Sequence, residues 1–336
     1  MSIARSYMTR AIAAVPRLVM PVTSRTRRLQ SALIRIGTRG SPLALAQAEE
    51  VKRRLLAAHA LPPEAALIVP ISTTGDRITD RPLADAGGKG LFTKEIDEAL
   101  IAGTVDLAVH SAKDLPTRLA EGTVIAACLP RADVRDAFIA RTAKTLAELP
   151  AGAVLGTSSL RRQAMALRLR PDLRIVNLRG NVDTRLRRIE EGVADATLLA
   201  AAGLTRLGLL FNAASLIEPD DWLPAVGQGI IAITARTGDA ATADRLAAID
   251  DSDASVALTT ERAFLDVLDG SCRTPIGGLA LLADGGIRFR GIIVTPDGRR
   301  AHATERRGAT SQAAALGAEA GAELRRQGGH DFFAGA

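Results

Sequence analysis

Nine arginines lie between Gly156 and Arg188, in a stretch that holds no lysine and only two acidic residues. A guanidinium presents a planar fork of donors that fits the edge of a carboxylate or a phosphate. The stretch therefore predicts a binding site for an anionic ligand. The alternative is a solvated basic face, but such a face usually mixes lysine with arginine and pairs them with glutamate at helical spacing.

The first helix of this stretch is predicted to carry two arginines at its start. Ser158 or Ser159 can cap a helix that ends at Pro171, which places Arg161 and Arg162 in the first turn. Cations in that position oppose the helix dipole and cost stability unless an anion lies beside them. Both side chains are therefore candidates for contact with a ligand anion.

The second helix start follows a short predicted strand at residues 173–178. Arg179 and Gly180 come directly after this strand, and Asn181 can cap a helix that contains Arg185. In open α/β sheets, ligands bind beyond the carboxyl ends of the strands. The two arginine-bearing helix starts are therefore expected to face one crevice.

Polar residues also follow two predicted strands nearer the N-terminus. Arg39 comes after a strand at 34–36, beside Ser41, which is a good N-cap, and Asp114 comes shortly after a strand at 105–109. A carboxylate beside a cationic crevice stays ionised and can stabilise a cationic intermediate or transfer protons. The alternative for Asp114 is an ordinary turn aspartate before a proline.

The chain has two cysteines, Cys128 and Cys272, which make neither a disulfide framework nor a metal motif. Cys272 lies in a polar loop beside Arg273, where a neighbouring cation favours the thiolate, whereas Cys128 lies in an apolar strand. Cys272 is therefore the candidate reactive thiol, and the alternative is an idle one. The four scattered histidines do not form a metal set, so no metal is expected.

Composition narrows the class of partner. The 336 residues carry a formal net charge of +6, which favours an acidic partner or substrate. Aromatic residues make up only 3% of the chain, with one tryptophan, and this is poor equipment for stacking bases of single-stranded nucleic acid. No apolar stretch approaches the length of a membrane span, so neither nucleic acid nor a membrane is an expected partner.

The N-terminal segment has no acidic residue before Glu49 and is rich in arginine and serine. This is the composition of an organelle transit peptide, which would place the protein in a plastid or mitochondrion. The alternative, which we favour, is a disordered basic leader in a cytoplasmic protein of high alanine and arginine content. The segment 72–90 has no clear period and predicts a functional loop or lid.

Alternating strands and helices up to Asp239 predict a parallel α/β architecture, and a small α+β domain follows. Residues 131–135 are expected to cross between two lobes, and the glycine-rich segment 224–229 to return. The predicted division follows from these crossings. Residues 1–32 form the leader, 33–130 and 229–247 domain 1, 131–228 the arginine-rich domain 2, and 248–336 domain 3, which contains Cys272.

Eight motifs in a fixed order carry a resemblance to a known family. They are TRGSPLALAQ (38–47), GGKGLFTKE (87–95), VDLAVHSAKDLP (105–116), GTSSLRRQ (156–163), LRGNVDTRL (178–186), AAGLTRLG (201–208), PAVGQG (224–229) and GSCRTPIG (270–277). Together they resemble the hydroxymethylbilane synthase, or porphobilinogen deaminase, family from about Ile34 to the C-terminal helix. Ala112 departs from the family, which more often has a larger apolar residue there.

The resemblance implies a transferase of porphyrin biosynthesis. Members join four porphobilinogen molecules head to tail on a covalent dipyrromethane primer, lose ammonia each time, and release hydroxymethylbilane. The implied fold has two lobes like periplasmic binding proteins and a third domain that bears the cysteine. The family also suggests a monomer. Two other functions stay open from the residues alone: a non-catalytic anion-binding protein and a nucleic-acid binder driven by charge.

The resemblance also implies a role for individual residues. Cys272 would hold the dipyrromethane through a thioether, and Asp114 would be the catalytic carboxylate. The implied cofactor-binding residues are Ser111, Lys113, Asp114, Thr157, Ser158, Ser159, Arg161, Arg162, Arg179 and Gly180. The implied substrate-binding residues are Arg39, Ser41, Lys89, Arg179, Arg185, Arg206 and Gln228.

Overall fold

The computed structural model describes residues 33–77, 90–268, 274–329 and 332. The basic leader at 1–32, most of the expected lid, Lys89 and Cys272 lie outside the described residues.

The described strands form three sheets. They are β1 (Ile34–Arg39), β2 (Ala66–Ile71), β3 (Leu107–Ser111), β4 (Thr123–Cys128), β5 (Asp136–Ala140), β6 (Val154–Gly156), β7 (Arg174–Val176), β8 (Ala196–Ala200), β9 (Ser215–Ile217), β10 (Ile231–Arg236), β11 (Ile276–Ala283), β12 (Gly286–Val294) and β13 (Ala301–Ala309).

The described α-helices pack on these sheets. They are α1 (Pro42–Ala58), α2 (Thr74–Arg77), α3 (Lys94–Ile101), α4 (Leu160–Leu169), α5 (Val182–Glu190), α6 (Ala201–Arg206), α7 (Ala240–Leu246), α8 (Ser252–Val267) and α9 (Ala313–Gly328).

The first two sheets each have five strands and the same pattern of directions. The first has the order β2-β1-β3-β10-β4, and the second the order β7-β6-β8-β5-β9. In each, three neighbouring strands are parallel, and the next strand, β10 or β5, is antiparallel to both its neighbours. These two strands depart from the parallel arrangement that the alternating pattern predicted, because each enters directly from the other sheet without the crossover helix that a parallel neighbour requires.

Each five-stranded sheet has its own apolar core. In the first, Ile36 and Ile233 of the sheet pack with Val51 and Leu55 of α1. Helix α1 turns these residues inward because they recur at helical spacing. In the second, Phe138 and Leu155 pack with residues of α4. We refer to each sheet with its helices as the first and the second lobe.

The third sheet is an antiparallel meander, β11-β12-β13, covered by α8 and α9. Phe264 of α8 and Phe289 of β12 lie at its centre, with ring centroids 5.0 Å apart and tilted by 60°. The two helices touch at Gly317, where a Cβ would collide with the carbonyl oxygen of Thr260. This small C-terminal unit is the α+β arrangement that the sequence predicted.

Two chain segments join the lobes, and one buried carboxylate contacts both. Glu261 of α8 is fully buried, and its Oε1 accepts from Arg131 Nη1 at 2.5 Å in the outgoing segment. Its Oε2 accepts from the main-chain N–H of Gly227 at 2.7 Å in the returning segment, and its Oε1 also accepts from Ala280 N of β11 at 2.8 Å. Glu261 therefore joins both crossings to the third sheet.

Both crossings lie where the sequence predicted them, between β4 and β5 and before β10. The α/β class with two lobes and a small C-terminal α+β unit is confirmed. The residue limits of the three predicted domains stay a prediction.

Candidate active site

A cavity lies at the carboxyl ends of β1 and β3. Its lining includes Arg39, Ser41, Gln47, His110, Ser111 and Asp114. All but Gln47 belong to the two polar segments that the sequence placed after these strands. Ser41 caps α1 through its Oγ, which accepts from Ala44 N at 3.4 Å. Gln47 Nε2 donates to Ser111 Oγ at 2.8 Å, so the helix and the strand end are held together at the cavity wall.

Arg39 of this cavity already has a partner. Its guanidinium forms an ion pair with Asp76 of α2 and lies over the ring of Phe92, 4.1 Å from the centroid. Nearby, burial lowers the pKa of His110 to about 4, and the charge of Arg39 adds to this effect. His110 is therefore neutral at physiological pH and adds no charge to the cavity.

Asp114 ends a short 3-10 turn, Ala112–Asp114, that directly follows β3. Its charge raises the pKa of two cations, Lys113 beside it and Arg185 of α5 in the second lobe. The carboxylate therefore lies within electrostatic range of both lobes, where the sequence expected a crevice.

Lys113 is the titratable cation of this crevice. Its pKa is lowered to about 8, mainly by burial and then by the charges of Arg162 and Arg161, while Asp114 and Asp136 oppose the shift. An anion bound here would restore the charged form, because an opposite charge favours ionisation.

Arg161 and Arg162 are almost fully buried at the start of α4. Arg161 Nη2 donates to Asp136 Oδ2 at 2.7 Å, and Arg162 Nη2 donates to Asp136 Oδ1 at 2.7 Å. Their other Nη atoms donate to main-chain carbonyl oxygens, of Leu223 at 2.9 Å and Leu198 at 2.8 Å. The sequence predicted an anion beside these two arginines, and part of that negative charge comes from the protein's own Asp136.

Asp136, at the start of β5, accepts two further hydrogen bonds. Trp222 Nε1 donates to Oδ2 at 2.7 Å, and Gln228 Nε2 donates to Oδ1 at 2.9 Å. Burial alone would raise the pKa of Asp136, but the charges and hydrogen bonds of Arg161 and Arg162 hold it well below its ordinary value. The carboxylate is therefore ionised at physiological pH.

Arg185 lies on α5, whose N-cap is Asn181, as the sequence predicted. Its Nε donates to the carbonyl oxygen of Gly180 at 2.9 Å, and Gly180 has a φ of +114°, which favours glycine. The pKa of Arg185 is lowered to about 10, mainly by burial and then by the charges of Arg162 and Arg179, while Asp114 opposes the shift. Among the described residues, no ion pair is recorded for Arg185.

The remaining predicted residues occupy two places. Thr157 is buried, and its Oγ1 accepts from Ser159 N at 3.1 Å, while Ser159 caps α4 and Ser158 is exposed beside it.

Arg206, at the end of α6, lies apart from these residues, in a second cavity with Glu50 of α1. Its Nε is 3.7 Å from Glu50 Oε2, and its Nη2 donates to Gly229 O at 3.0 Å.

The charges of the crevice do not balance. Among the described residues whose charges shift these pKa values, the cations Lys113, Arg161, Arg162, Arg179 and Arg185 outnumber the carboxylates Asp114 and Asp136. The Nε atoms of Arg161 and Arg162 are buried and have no hydrogen-bond partner among the described residues. An interior with excess positive charge and unused donors suits a ligand with several carboxylates.

Asp136, Trp222 and Gln47 were not identified from the sequence. Asp136 did have a signal, since it is a lone acidic residue at the start of the apolar strand DAFIA. Gln47 and Trp222 had none. Within the described ranges, no group of three His, Cys, Asp or Glu residues could hold a metal ion. None of the described helices is both long and apolar enough to cross a membrane.

Two family models match the chain. One, described as porphobilinogen deaminase, dipyromethane cofactor binding domain, matches residues 34–244, and one described as porphobilinogen deaminase, C-terminal domain, matches residues 256–326. Curated relatives have the name porphobilinogen deaminase. The relative from Nitrobacter hamburgensis is 58% identical over 301 residues, which are 90% of this chain and 95% of the relative. The relative from Paracoccus denitrificans is 56% identical over 300 residues, which are 89% of this chain and 96% of the relative.

Solved structures of bacterial proteins are similar at a lower level. A periplasmic substrate-binding protein of an ABC transporter from Coxiella burnetii has a TM-score of 0.42 and 17% identity, over 65% of this chain and 92% of that one. The BvgS VFT2 domain of Bordetella pertussis has a TM-score of 0.39 and 14% identity, over 68% of this chain and 91% of that one. Similarities at this level carry no argument about the ligand.

Proposed function

Because this chain belongs to the porphobilinogen deaminase family, we propose that porphobilinogen molecules are joined in the crevice between Asp114 and the buried arginines. The activity is that of hydroxymethylbilane synthase, a transferase of porphyrin biosynthesis that condenses four porphobilinogen molecules and releases a linear tetrapyrrole. The observation that supports this placement is the excess positive charge of the crevice, since every porphobilinogen brings two carboxylates.

Asp114 is the proposed catalytic carboxylate. Loss of ammonia from porphobilinogen leaves a cation, and an ionised carboxylate beside it lowers the energy of that cation. The same oxygen atoms can accept from pyrrole N–H groups and so orient the ring. The position of Asp114 within electrostatic range of Lys113 and Arg185 supports this role, because cations keep a carboxylate ionised.

The cations hold the carboxylates of substrate and cofactor in this proposal. Lys113, Arg161, Arg162, Arg179 and Arg185 are the proposed binders in the crevice, and Arg39 and Ser41 serve the adjoining cavity. Arg206 would bind a ligand carboxylate only after breaking its ion pair with Glu50.

The family's dipyrromethane cofactor suits this crevice. Four acetate and propionate groups on two linked pyrroles match the excess of cations and the unused Nε donors of Arg161 and Arg162. When bound, the dipyrromethane supplies the primer to which the first porphobilinogen is joined. We assign its covalent attachment to Cys272 on the family resemblance.

Intact mass of the denatured protein tests this proposal. We expect wild-type protein to exceed its sequence mass by two linked pyrroles, and Cys272→Ser to show no excess, because only a thioether survives denaturation. Cys128→Ser is the matched control and should keep the excess, since burial raises the pKa of that thiol to about 11 and disfavours the reactive thiolate. An unmodified wild-type mass after incubation with porphobilinogen would favour a reversible anion-binding protein instead.

The pH dependence of substrate binding tests the role of Lys113. Its pKa of about 8 means that the side chain loses its charge as the pH rises through 8, so the KM for porphobilinogen should rise above that pH. Lys113→Arg keeps its charge far above this range and should remove the rise. Lys113→Gln should have a raised KM throughout, without the inflection. The same inflection in wild type and Lys113→Arg would assign it to another group.

We also propose that the protein acts as a cytoplasmic monomer without a metal. The bacterial origin of the relatives supports the cytoplasm over an organelle. The two matched family regions begin at residues 34 and 256, both after the leader. The intact mass that tests the cofactor also shows whether residues 1–32 are still attached.

A further inference from the structure

We propose that Asp136 is a positioning residue, whose carboxylate fixes Arg161 and Arg162 for ligand carboxylates, and that Trp222 reports on this arrangement through the same carboxylate. This inference rests on the proposed function, in which the two arginines bind the cofactor. It adds a residue that touches no substrate and a spectroscopic signal that needs no added label.

The first argument is the geometry of the two guanidinium groups. Each has one Nη on an oxygen of Asp136 and the other Nη on a main-chain carbonyl oxygen, so both ends of each group are fixed. Two fixed contacts set the plane of a guanidinium, which is what bidentate recognition of a carboxylate requires. Without Asp136, each arginine would keep only its carbonyl contact.

The second argument is electrostatic. Asp136 and both arginines are buried, so two positive charges share one negative charge away from water. Removing the carboxylate would leave two buried like charges side by side, which would drive the side chains apart. With the carboxylate present, the site keeps an excess of one positive charge that a ligand carboxylate can neutralise. Asp136 thus keeps the arginines in place before the ligand arrives.

The third argument is connectivity. Asp136 begins β5, Arg161 and Arg162 begin α4, and Trp222 and Gln228 belong to the segment that returns to the first lobe. One carboxylate therefore holds three separate parts of the chain together at the crevice. By contrast, Asp172 at the other end of α4 pairs with Arg170, two residues before it, and its side chain is 40% exposed.

Trp222 is the only tryptophan in the chain, and it is 1% exposed. Its Nε1 donates to Asp136 Oδ2, the same oxygen that accepts from Arg161. A ligand carboxylate that binds to Arg161 changes the electrostatic environment of the indole. Tryptophan emission depends on such charges, so its maximum should shift when the crevice is filled.

The test compares Asp136→Asn and Asp136→Glu with wild type and with Asp172→Asn, a control at a carboxylate of the same lobe whose side chain is 40% exposed. The readouts are intact mass after incubation with porphobilinogen, KM and kcat, the emission maximum of Trp222, and circular dichroism. We expect Asp136→Asn to lose the covalent mass excess. Asp136→Glu should retain part of it and raise the KM by roughly 10- to 100-fold, with a smaller change in kcat.

Wild type and Asp172→Asn should keep the mass excess, a low KM and an emission maximum that shifts with porphobilinogen. If Asp136→Asn does not fold, the mass excess and the KM of Asp136→Glu are sufficient to test the inference. The inference would be overturned if Asp136→Glu folds and has a normal KM. It would also be overturned if the emission maximum of Trp222 in wild type does not shift on addition of porphobilinogen. A wild-type protein without the mass excess would instead overturn the proposed function, so the two failures are distinguishable.

Discussion

Asp114→Asn is expected to lower kcat by about 10²- to 10⁴-fold, the range found when a proton-transfer group or a charge-stabilising group is removed from an active site. The amide has nearly the same shape but no negative charge, so it cannot stabilise the cation that forms as ammonia leaves. Because Asp114 lies in a turn and is partly exposed, the fold should tolerate the change. Single-turnover kinetics with porphobilinogen and a thermal unfolding scan measure the two effects separately.

A matched control for this variant is Asp183→Asn. Asp183 is an exposed acidic residue two positions before Arg185, on the same helix. The Asp183→Asn substitution removes the same charge near the crevice without touching the proposed catalytic position. The kcat should therefore stay near that of wild type. Asp114→Asn should also move the inflection of KM toward lower pH, because Asp114 raises the pKa of Lys113. A kcat close to wild type would remove Asp114 from the chemistry.

Glu261→Ala should lower the free energy of unfolding by about 3–5 kcal/mol, as for other buried ion pairs that lose one partner. The substitution leaves Arg131, whose side chain is 12% exposed, without its carboxylate. It also removes the acceptor of two main-chain N–H groups, those of Gly227 and Ala280. Urea unfolding followed by circular dichroism measures the change.

Glu305→Ala is the control for Glu261→Ala. Glu305 of β13 also pairs with arginine, at 2.9 Å from Arg288, but both side chains are more than one-third exposed. An exposed pair of this kind contributes about 0–1 kcal/mol, so the control should unfold almost like wild type. Equal losses in the two variants would show that Glu261 is not a special contact between the crossings and the third sheet.

Local rules predicted much of the site from the sequence. Ser41, Ser159 and Asn181 are N-caps because a side-chain oxygen near a free N–H at a helix start is a short-range interaction. Arg39 and Asp114 gather at one cavity because the carboxyl ends of parallel strands meet at one edge. These features depend on a few adjacent residues or on strand order alone.

The parts that sequence reasoning missed depend on long-range contacts. Asp136 meets Arg161 and Trp222 only after the second lobe has formed, so no spacing in the sequence connects the three residues. The pairing of Arg206 with Glu50 likewise joins helices of different lobes. The antiparallel direction of β5 and β10 follows from how the chain enters each sheet, which the strand pattern does not reveal.

The position of β10 between β3 and β4 has a consequence for synthesis of the protein. A ribosome releases the chain from its N-terminus, so the first sheet stays incomplete until residue 236 has emerged. All strands of the second sheet lie before β10 and can pair earlier. The lobe that is made first is therefore finished last, and the edges of β3 and β4 stay open to foreign strands while the second lobe is translated. The nascent chain is more prone to aggregation in this interval than the finished enzyme.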